Sequence, residues 1–269
     1  MPLFFPQLRP GSALQYPLRR MLSYRTAVHP ADEVTGLRSA DDGATRVQWA
    51  LQLRCLSDLE MDAVQTLFRA TRGAHGEFVF LDPEGNLLSN SESLLASVWG
   101  KSAGLEVTPA ATAPASAEAA FAIAAPVSQT GEFWQSALLP TNYYWLLSAY
   151  ARALTAVPFT LFIRSAHGEK QMTAPLSPTW KRFSFGGLWW PAGEGIDIGF
   201  RIPANRQAEV SALQLESQTA PSSYKRTTAV TGVFSNARFL DDSLRVTSLA
   251  PNCHQINLRI GAPIAGYIS

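Results

Sequence analysis

The stretch Arg46–Gly85, RVQWALQLRCLSDLEMDAVQTLFRATRGAHGEFVFLDPEG, changes its hydrophobic period twice and so decides the fold. It opens in alternation, with Val47, Trp49, Leu51 and Leu53 on one face and Arg46, Gln48 and Gln52 on the other. That is the period of a half-buried strand. Ser57-Asp58-Leu59-Glu60 then reads as a capping box, in which the Ser57 hydroxyl and the Glu60 carboxylate each satisfy an orphan backbone donor. Leu59, Ala63, Val64, Leu67 and Phe68 fall at helical spacing, and Gly73 is placed to end the helix in a left-handed cap. Phe78-Val79-Phe80-Leu81 is a short apolar strand, and Asp82-Pro83-Glu84-Gly85 a turn.

Outward from this unit the texture changes. From Asn86 to Lys225 the chain is rich in Ser, Ala, Pro and aromatics, with strands expected at Trp145–Ala151, Phe159–Ile163, Lys181–Phe185, Ile196–Ile202 and Val210–Leu215, and a loop at Thr108–Ala119. Many short strands between Gly, Pro and Asn turns imply an antiparallel sandwich. Of the seven Trp only Trp49 lies outside this segment. From Ala229 three alternating runs return, Val233–Leu240, Leu244–Leu249 and Gln255–Ile260. A meander of about forty residues is too small to fold alone. It needs a partner sheet, and the nearest one short of strands is that of the 46–85 unit, so the simplest topology inserts the middle into a discontinuous outer domain, at a turn.

Composition narrows the function. The 269 residues suggest one large domain or two small ones; 46% are hydrophobic and 16% charged, enough to bury a substantial core. A net charge of +1 gives no footprint for nucleic acid or an anionic membrane. Two cysteines, Cys55 and Cys253, exclude a disulfide-stapled scaffold and a four-cysteine zinc site, and cytoplasmic assembly favours free, buried thiols. Pro6 and Pro10 break the apolar N-terminus, and Arg19 and Arg20 come too late for a signal peptide. The longest apolar candidate, Tyr143–Ile163, is interrupted by Arg152 and Pro158, so membrane insertion is not expected. The chain reads as soluble and made in the cytoplasm.

The outer pieces resemble a known family. Trp49, Leu56-Ser57, Glu60, Leu67-Phe68, Gly73 and Phe78-Val79-Phe80-Leu81-Asp82-Pro83, followed by Arg238–Val246 and Gln255–Ile260, look like the distal tail or minor tail proteins of long-tailed bacteriophages and gene-transfer agents. The middle resembles a jelly-roll carbohydrate-binding module: Asn86–Ser91 with Trp99 looks like its opening, Leu147–Arg152 its central strand, Trp180–Phe183 the next, and Ala212–Glu216 with Pro221–Tyr224 its closing strand and exit. The resemblance implies a mostly β chain: a tail-type β domain with one α-helix from residues 1–85 and 228–269, and an inserted antiparallel jelly-roll β-sandwich at 86–227. It further implies a homo-oligomeric ring, a hexamer, at the tail tip of a virion assembled in the host cytoplasm. Its partners would be tail tube and tail hub or fibre proteins and a host-surface polysaccharide. Against this stand a purely structural or decorating role beside a neighbouring tail or fibre protein, and a carbohydrate-processing enzyme.

Sugar binding needs flat apolar faces for pyranose rings beside side chains that hydrogen-bond hydroxyls. The candidates are Trp189 and Trp190, in a loop after Gly186-Gly187, and Trp134, Gln135, Asn142, Tyr143 and Tyr144 on a concave face. Trp99, Trp145, Tyr150 and Trp180 match core positions of the resembled module. Asn86 and Glu216 fall, by that resemblance alone, near a structural calcium site; no cofactor is otherwise expected. Glu132, Glu169, Glu194 and Asp197 show no spacing that singles out a glycosidase pair and read as turn and surface residues. The histidines His29, His75, His167 and His254 have no metal-ligand spacing, and no nucleophile elbow or P-loop is present, so an enzyme is not expected. The N-terminal arm, Leu3-Phe4-Phe5 with Tyr16 and Tyr24, is either covered by a partner or packed as an edge on its own domain.

Overall fold

The computed structural model describes residues 2–8, 17–31, 35–187 and 190–264. The strands in chain order begin with β1 (Arg19–Ala31) and β2 (Thr35–Leu56); helix α1 (Asp58–Ala70) and β3 (Phe78–Leu81) follow. Then come β4 (Trp99–Lys101), β5 (Glu106–Pro109), β6 (Phe121–Ala124), β7 (Gly131–Pro140), β8 (Trp145–Arg152) and β9 (Pro158–Ser165). The chain continues with β10 (Gly168–Pro175), β11 (Lys181–Gly187), β12 (Glu194–Ile202), β13 (Gln207–Glu216), β14 (Val233–Phe239), β15 (Val246–Ala250) and β16 (Cys253–Pro263). The chain divides into two compact units, the first from Met1–Arg9, Ala13–Leu81 and Val233–Ser269, the second from Pro10–Ser12 and Asp82–Gly232.

In the first unit the sheet runs β1-β2-β16-β14-β3, with β15 also paired to β16. Val47, Trp49, Leu51 and Leu53 are all buried, as their alternation requires. The capping box is formed: Glu60 N–H donates to Ser57 Oγ at 3.3 Å and Ser57 N–H to Glu60 Oε2 at 2.8 Å. Gly73, at φ +65°, donates its N–H to the Phe68 carbonyl. The helix buries Met61, Val64 and Leu67, whereas Leu59 is 75% exposed. A residue in the first turn lies ahead of the apolar stripe, so spacing alone misplaced it.

After the second unit the chain re-enters this core. Strand β14 pairs with β3 (Phe234 opposite Phe80), and β16 pairs with β2 (Ile260 opposite Trp49). The expected meander is therefore interrupted: β15 pairs with β16 but not with β14, which bonds β16 and β3 instead. Trp49 lies 4.7 Å, centroid to centroid, from both Phe80 and Phe234, and Phe78 lies 4.7 Å from Phe239. Phe5 joins them from the N-terminus, 2% exposed, its N–H bonded to the Val79 carbonyl. That part of the arm packs on its own domain. Leu3 and Tyr24 remain exposed, and Tyr16 lies outside the described residues.

Two features were not read from the sequence. Strand β2 begins at Thr35 rather than Arg46, because the polar run Arg38–Arg46 pairs with β1 as an arm. Among the described residues the pairing of β16 with β2 stops at Arg46, and there Arg25–Ala31 and Thr35–Asp41 pair with each other alone. Met21, Leu22, Tyr24 and Val28 of β1 are all exposed.

The second unit is a jelly-roll β-sandwich of two five-stranded antiparallel sheets, ordered β10-β9-β12-β7-β4 and β11-β8-β13-β6-β5. From β7 to β13 the chain changes sheet at every step but one, which brings the inner faces of both sheets into one core. Trp145, Leu147, Ala149, Phe159, Leu161, Ile163, Phe200 and Val210 fill it, each 1% exposed or less. Trp99 and Trp145 are buried as expected. Tyr150 and Trp180 are only half-buried: Tyr150 alternates with Ala149 and Ala151, so it points outward beneath Arg182, while Trp180 lies beneath Arg152. The polar strand β10 and the short strands β4 to β6 carried too weak a period to be read.

Loss of the cap tests the helix reading. Ser57→Ala should destabilise the first unit by about 1 kcal/mol, measured as a lower urea midpoint at unchanged m-value.

Candidate functional site

The outer faces of the two sheets differ. On the sheet containing β13, the exit segment lies against the face: Gln214 Oε1 accepts from Lys225 N–H at 2.7 Å, and Arg182 Nη1 donates to the Ser222 carbonyl. On the sheet containing β12 the outer face carries three registered rows. Trp134, Gly199 and Phe162 form the central row; Glu132, Arg201 and Thr160 flank it on one side and Ser136, Asp197 and Arg164 on the other. Glu169 and Gln171 of β10 extend the rows through Arg164 and Phe162.

Glycine makes the central row flat. A Cβ at Gly199 would meet the Phe133 carbonyl at 2.0 Å, and one at Gly100 of β4 would stand 2.6 Å from Trp134 Cε2. Trp134 therefore lies against Gly100 and is half-buried. Phe162 points away from the core yet is 0% exposed, because two guanidiniums roof it. Arg201 lies 4.3 Å and Arg164 5.2 Å from its ring centroid, a double cation–π arrangement.

Each arginine pairs with an acid of its own row and with one of the opposite row. Arg201 Nε reaches Glu132 of its own row at 2.9 Å and its Nη2 reaches Glu169 at 2.5 Å; Arg164 reaches Asp197 of its own row at 3.0 Å and Glu132 at 2.7 Å. Ser136 Oγ donates to Asp197 at 2.6 Å, and Arg201 Nη1 to Gln171 Oε1 at 3.1 Å. The Arg201 hydrogen bond holds the Glu169 carboxyl below the usual glutamate range despite partial burial, and the same contact raises Arg201. Beside the lattice a cleft of about 400 Å³ opens between Ser136, Leu138, Arg164 and Asp197, with Leu138 78% exposed. The face thus combines a flat aromatic ring with fixed polar groups at its margins.

Of the sequence candidates only Trp134 lies in these rows. Gln135 points inward, 5% exposed, and is spent on Ser89, accepting from its N–H at 2.9 Å and donating to its carbonyl at 3.0 Å. The alternation of β7 that exposes Trp134 buries its neighbour. Tyr143, 8% exposed, stacks on Trp145 at 5.8 Å instead of facing solvent. Asn142 is exposed and Tyr144 half-buried at one end of the sandwich, where Thr141 bonds the Pro191 and Gly193 carbonyls and so joins the two loops. Trp190 in the second loop is 8% exposed, a core-facing ring, and Trp189 lies outside the described residues.

The four carboxylates also divide. Glu132, Glu169 and Asp197 converge on the arginines, while Glu194 stands apart opposite Pro140. Arg164 and Arg201 were not singled out from the sequence; the shared parity of Arg164 with Phe162 and of Arg201 with Asp197 was the available signal. Asn86 and Glu216 do not fit a calcium ion, which needs six or more oxygens. Asn86 Oδ1 already accepts from Leu88 and Leu215 N–H at 3.1 Å, and the buried Glu216 accepts from Gln218 Nε2 at 2.5 Å and from Ser222. Among the described residues no three His, Cys, Asp or Glu side chains gather as a metal site, and no helix is long and apolar enough to cross a membrane.

No family model matches the sequence, and no curated protein matches it. Among solved structures, the C-terminal family 22 carbohydrate-binding module of Clostridium thermocellum Xyn10B is similar over 53% of this chain and 99% of its own, at 9% identity and TM-score 0.42. TmCBM61 in complex with beta-1,4-galactotriose is similar over 48% of this chain and 97% of its own, at 16% identity and TM-score 0.39. The enzymatically active domain of bacteriophage CBA120 tailspike protein 4 is similar over 51% of this chain, at 17% identity and TM-score 0.41; the alignment spans 22% of that chain.

The lattice predicts an acid response. Glu169 is depressed in the folded state, so its contribution to stability is complete above the ordinary value of 4.5 and is lost as pH falls through the folded value. The thermal midpoint of the second unit should fall on acidification below that point, and Glu169→Gln should flatten the fall.

Proposed function

We propose that the chain is a structural component of a phage or phage-like tail tip whose inserted sandwich binds a host-surface polysaccharide. The observation that carries the binding reading is the Trp134 row: an indole flat against Gly100, in line with Gly199, on the one sheet face that the exit segment leaves open. A pyranose stacked there has Glu132 and Ser136 of the same strand at its margins, and a longer glycan running along the row would reach Gln171 on β10. The arginine lattice fixes those groups before a ligand arrives, which lowers the ordering cost of binding.

Binding without turnover is part of the proposal. A glycosidase acid must hold its proton near neutrality. Here Glu169 is held ionised by Arg201, and Glu132 and Asp197 each face an arginine at 3.0 Å or less.

The tail assignment rests on the resemblance of the outer pieces, and the exposed arm supports its oligomeric side. A two-stranded ribbon is marginal in water. One that exposes Val28, continuous with exposed Met21, Leu22 and Tyr24 at its base, is suited to being covered by a neighbouring copy in a closed ring, a hexamer by that resemblance. Further partners are then the tail tube and the hub or fibre proteins. Several sandwiches on one ring turn weak sugar contacts into useful avidity.

Trp134→Ala should weaken binding of the full chain to purified host envelope polysaccharide roughly tenfold, the equivalent of about 1.4 kcal/mol, with the fold unchanged by circular dichroism. Wild-type protein that binds no such polysaccharide would favour the purely structural role. Light scattering on Tyr24→Ser/Val28→Ser should show monomers where the wild type forms a closed oligomer; a monomeric wild type at micromolar concentration removes the ring.

A further inference from the structure

The two cysteines come from opposite sides of the second unit in sequence, yet they meet in the first unit. Cys55 lies near the end of β2 and Cys253 opens β16. Where these strands pair, the register moves from His254 opposite Leu56 to Ile256 opposite Leu53, so that Arg54 and Cys55 together face the single Gln255. This is a β-bulge, and bulges re-aim side chains. Cys55 stands in it at φ +51°, a left-handed conformation for which glycine is the usual residue.

The opposing segment is pinned. Asp58 N–H donates to Asn252 Oδ1 at 2.8 Å, and Asp58 Oδ1 is 2.6 Å from His254 Nε2, whose Nδ1 is 3.0 Å from Ser248 Oγ. Residues 252 and 254 are thus both tied to a residue three places after Cys55, and Cys253 is held between them. The Cys253 thiol is hydrogen-bonded to Cys55, a contact that raises it above the usual cysteine range. Cys55 is exposed and Cys253 half-buried, so the expectation of two buried thiols is corrected: a bulge at the end of a strand leaves the first in water.

We propose that Cys55 and Cys253 form a modification site at which a small-molecule disulfide of the glutathione type joins the strand before the second unit to the strand after it. The exposed Cys55 thiolate attacks one sulfur of the reagent, forming a mixed disulfide and expelling one thiolate. The Cys253 thiolate then attacks Cys55 Sγ, forming the internal bond and expelling the second. The protein loses two protons and two electrons; the reagent takes up the electrons and leaves as two thiols. In a reducing cytoplasm the pair stays as thiols, and the bond forms once the protein meets an oxidising exterior. It would close a loop that contains Asp82–Gly232 of the second unit, and long loops restrict the unfolded chain most.

The test is incubation of the native full-length chain with glutathione disulfide, followed by intact mass measurement, non-reduced peptide mapping and thermal unfolding. The expected product has lost two hydrogens, carries a Cys55–Cys253 cross-link, and unfolds roughly 5–10 °C higher until dithiothreitol is added. Cys253→Ser should stop at the glutathione adduct on Cys55. Cys55→Gly, which suits the left-handed backbone and keeps the fold, should leave Cys253 slow to react. Wild-type protein in which both thiols stay free, each carries its own glutathione, or a cross-linked dimer forms would overturn the proposal.

Discussion

The first unit depends on the burial of Trp49 between Phe80 and Phe234. A large aromatic removes about 150–250 Å² from water, worth roughly 4–6 kcal/mol at ~25 cal/mol per Å². Against this stands the Trp49 indole N–H, buried without a hydrogen-bond partner among the described residues, at a cost of about 1–3 kcal/mol. Packing wins. The three rings belong to a strand before the helix, a strand after it, and a strand reached only after the second unit has been traversed. No shorter piece of chain can assemble that cluster, so the sheet closes when β14 and β16 return to β3 and β2. The clamp at Asp58 and the meeting of the cysteines follow from the same return.

In the second unit the governing contrast is between two outer faces of one sandwich. One is covered by the chain's own exit segment, through Gln214, Glu216 and Arg182. The other is kept open and stiff by ions laid over an aromatic ring. Partly exposed ion pairs contribute little stability singly. Here they restrain each other, because Arg201 answers two acids and Arg164 three, and both cap Phe162. That rigidity favours recognition more than it favours stability.

Much of the fold was legible where one physical requirement dominated a segment. Strand β2 past Arg46, strand β3 and the capping box each have local causes: a face to bury or a donor to satisfy. The large strands β8, β9, β12 and β13 were legible because their inner residues are uniformly apolar. The candidate site was far less legible. Trp134 could be named, but Gln135 beside it was named too, and only the direction of the pleat separates a ring in solvent from an amide tied to Ser89. Arg164, Arg201 and Phe162 went unread because their meaning lies in cross-strand register, over separations of 30 to 70 residues.

The sequence by itself determined the periods, helix α1 with its cap, and two textures of chain, because these follow from local sterics and from burying one face of an element. The tertiary structure decided which copies of a residue type matter. It turned Tyr143 and Trp190 inward, set Trp134 against Gly100, joined three scattered acids to two arginines, and brought Cys55 to Cys253. Each is a pairing between strands distant in sequence, and register, unlike periodicity, leaves no mark within a single segment.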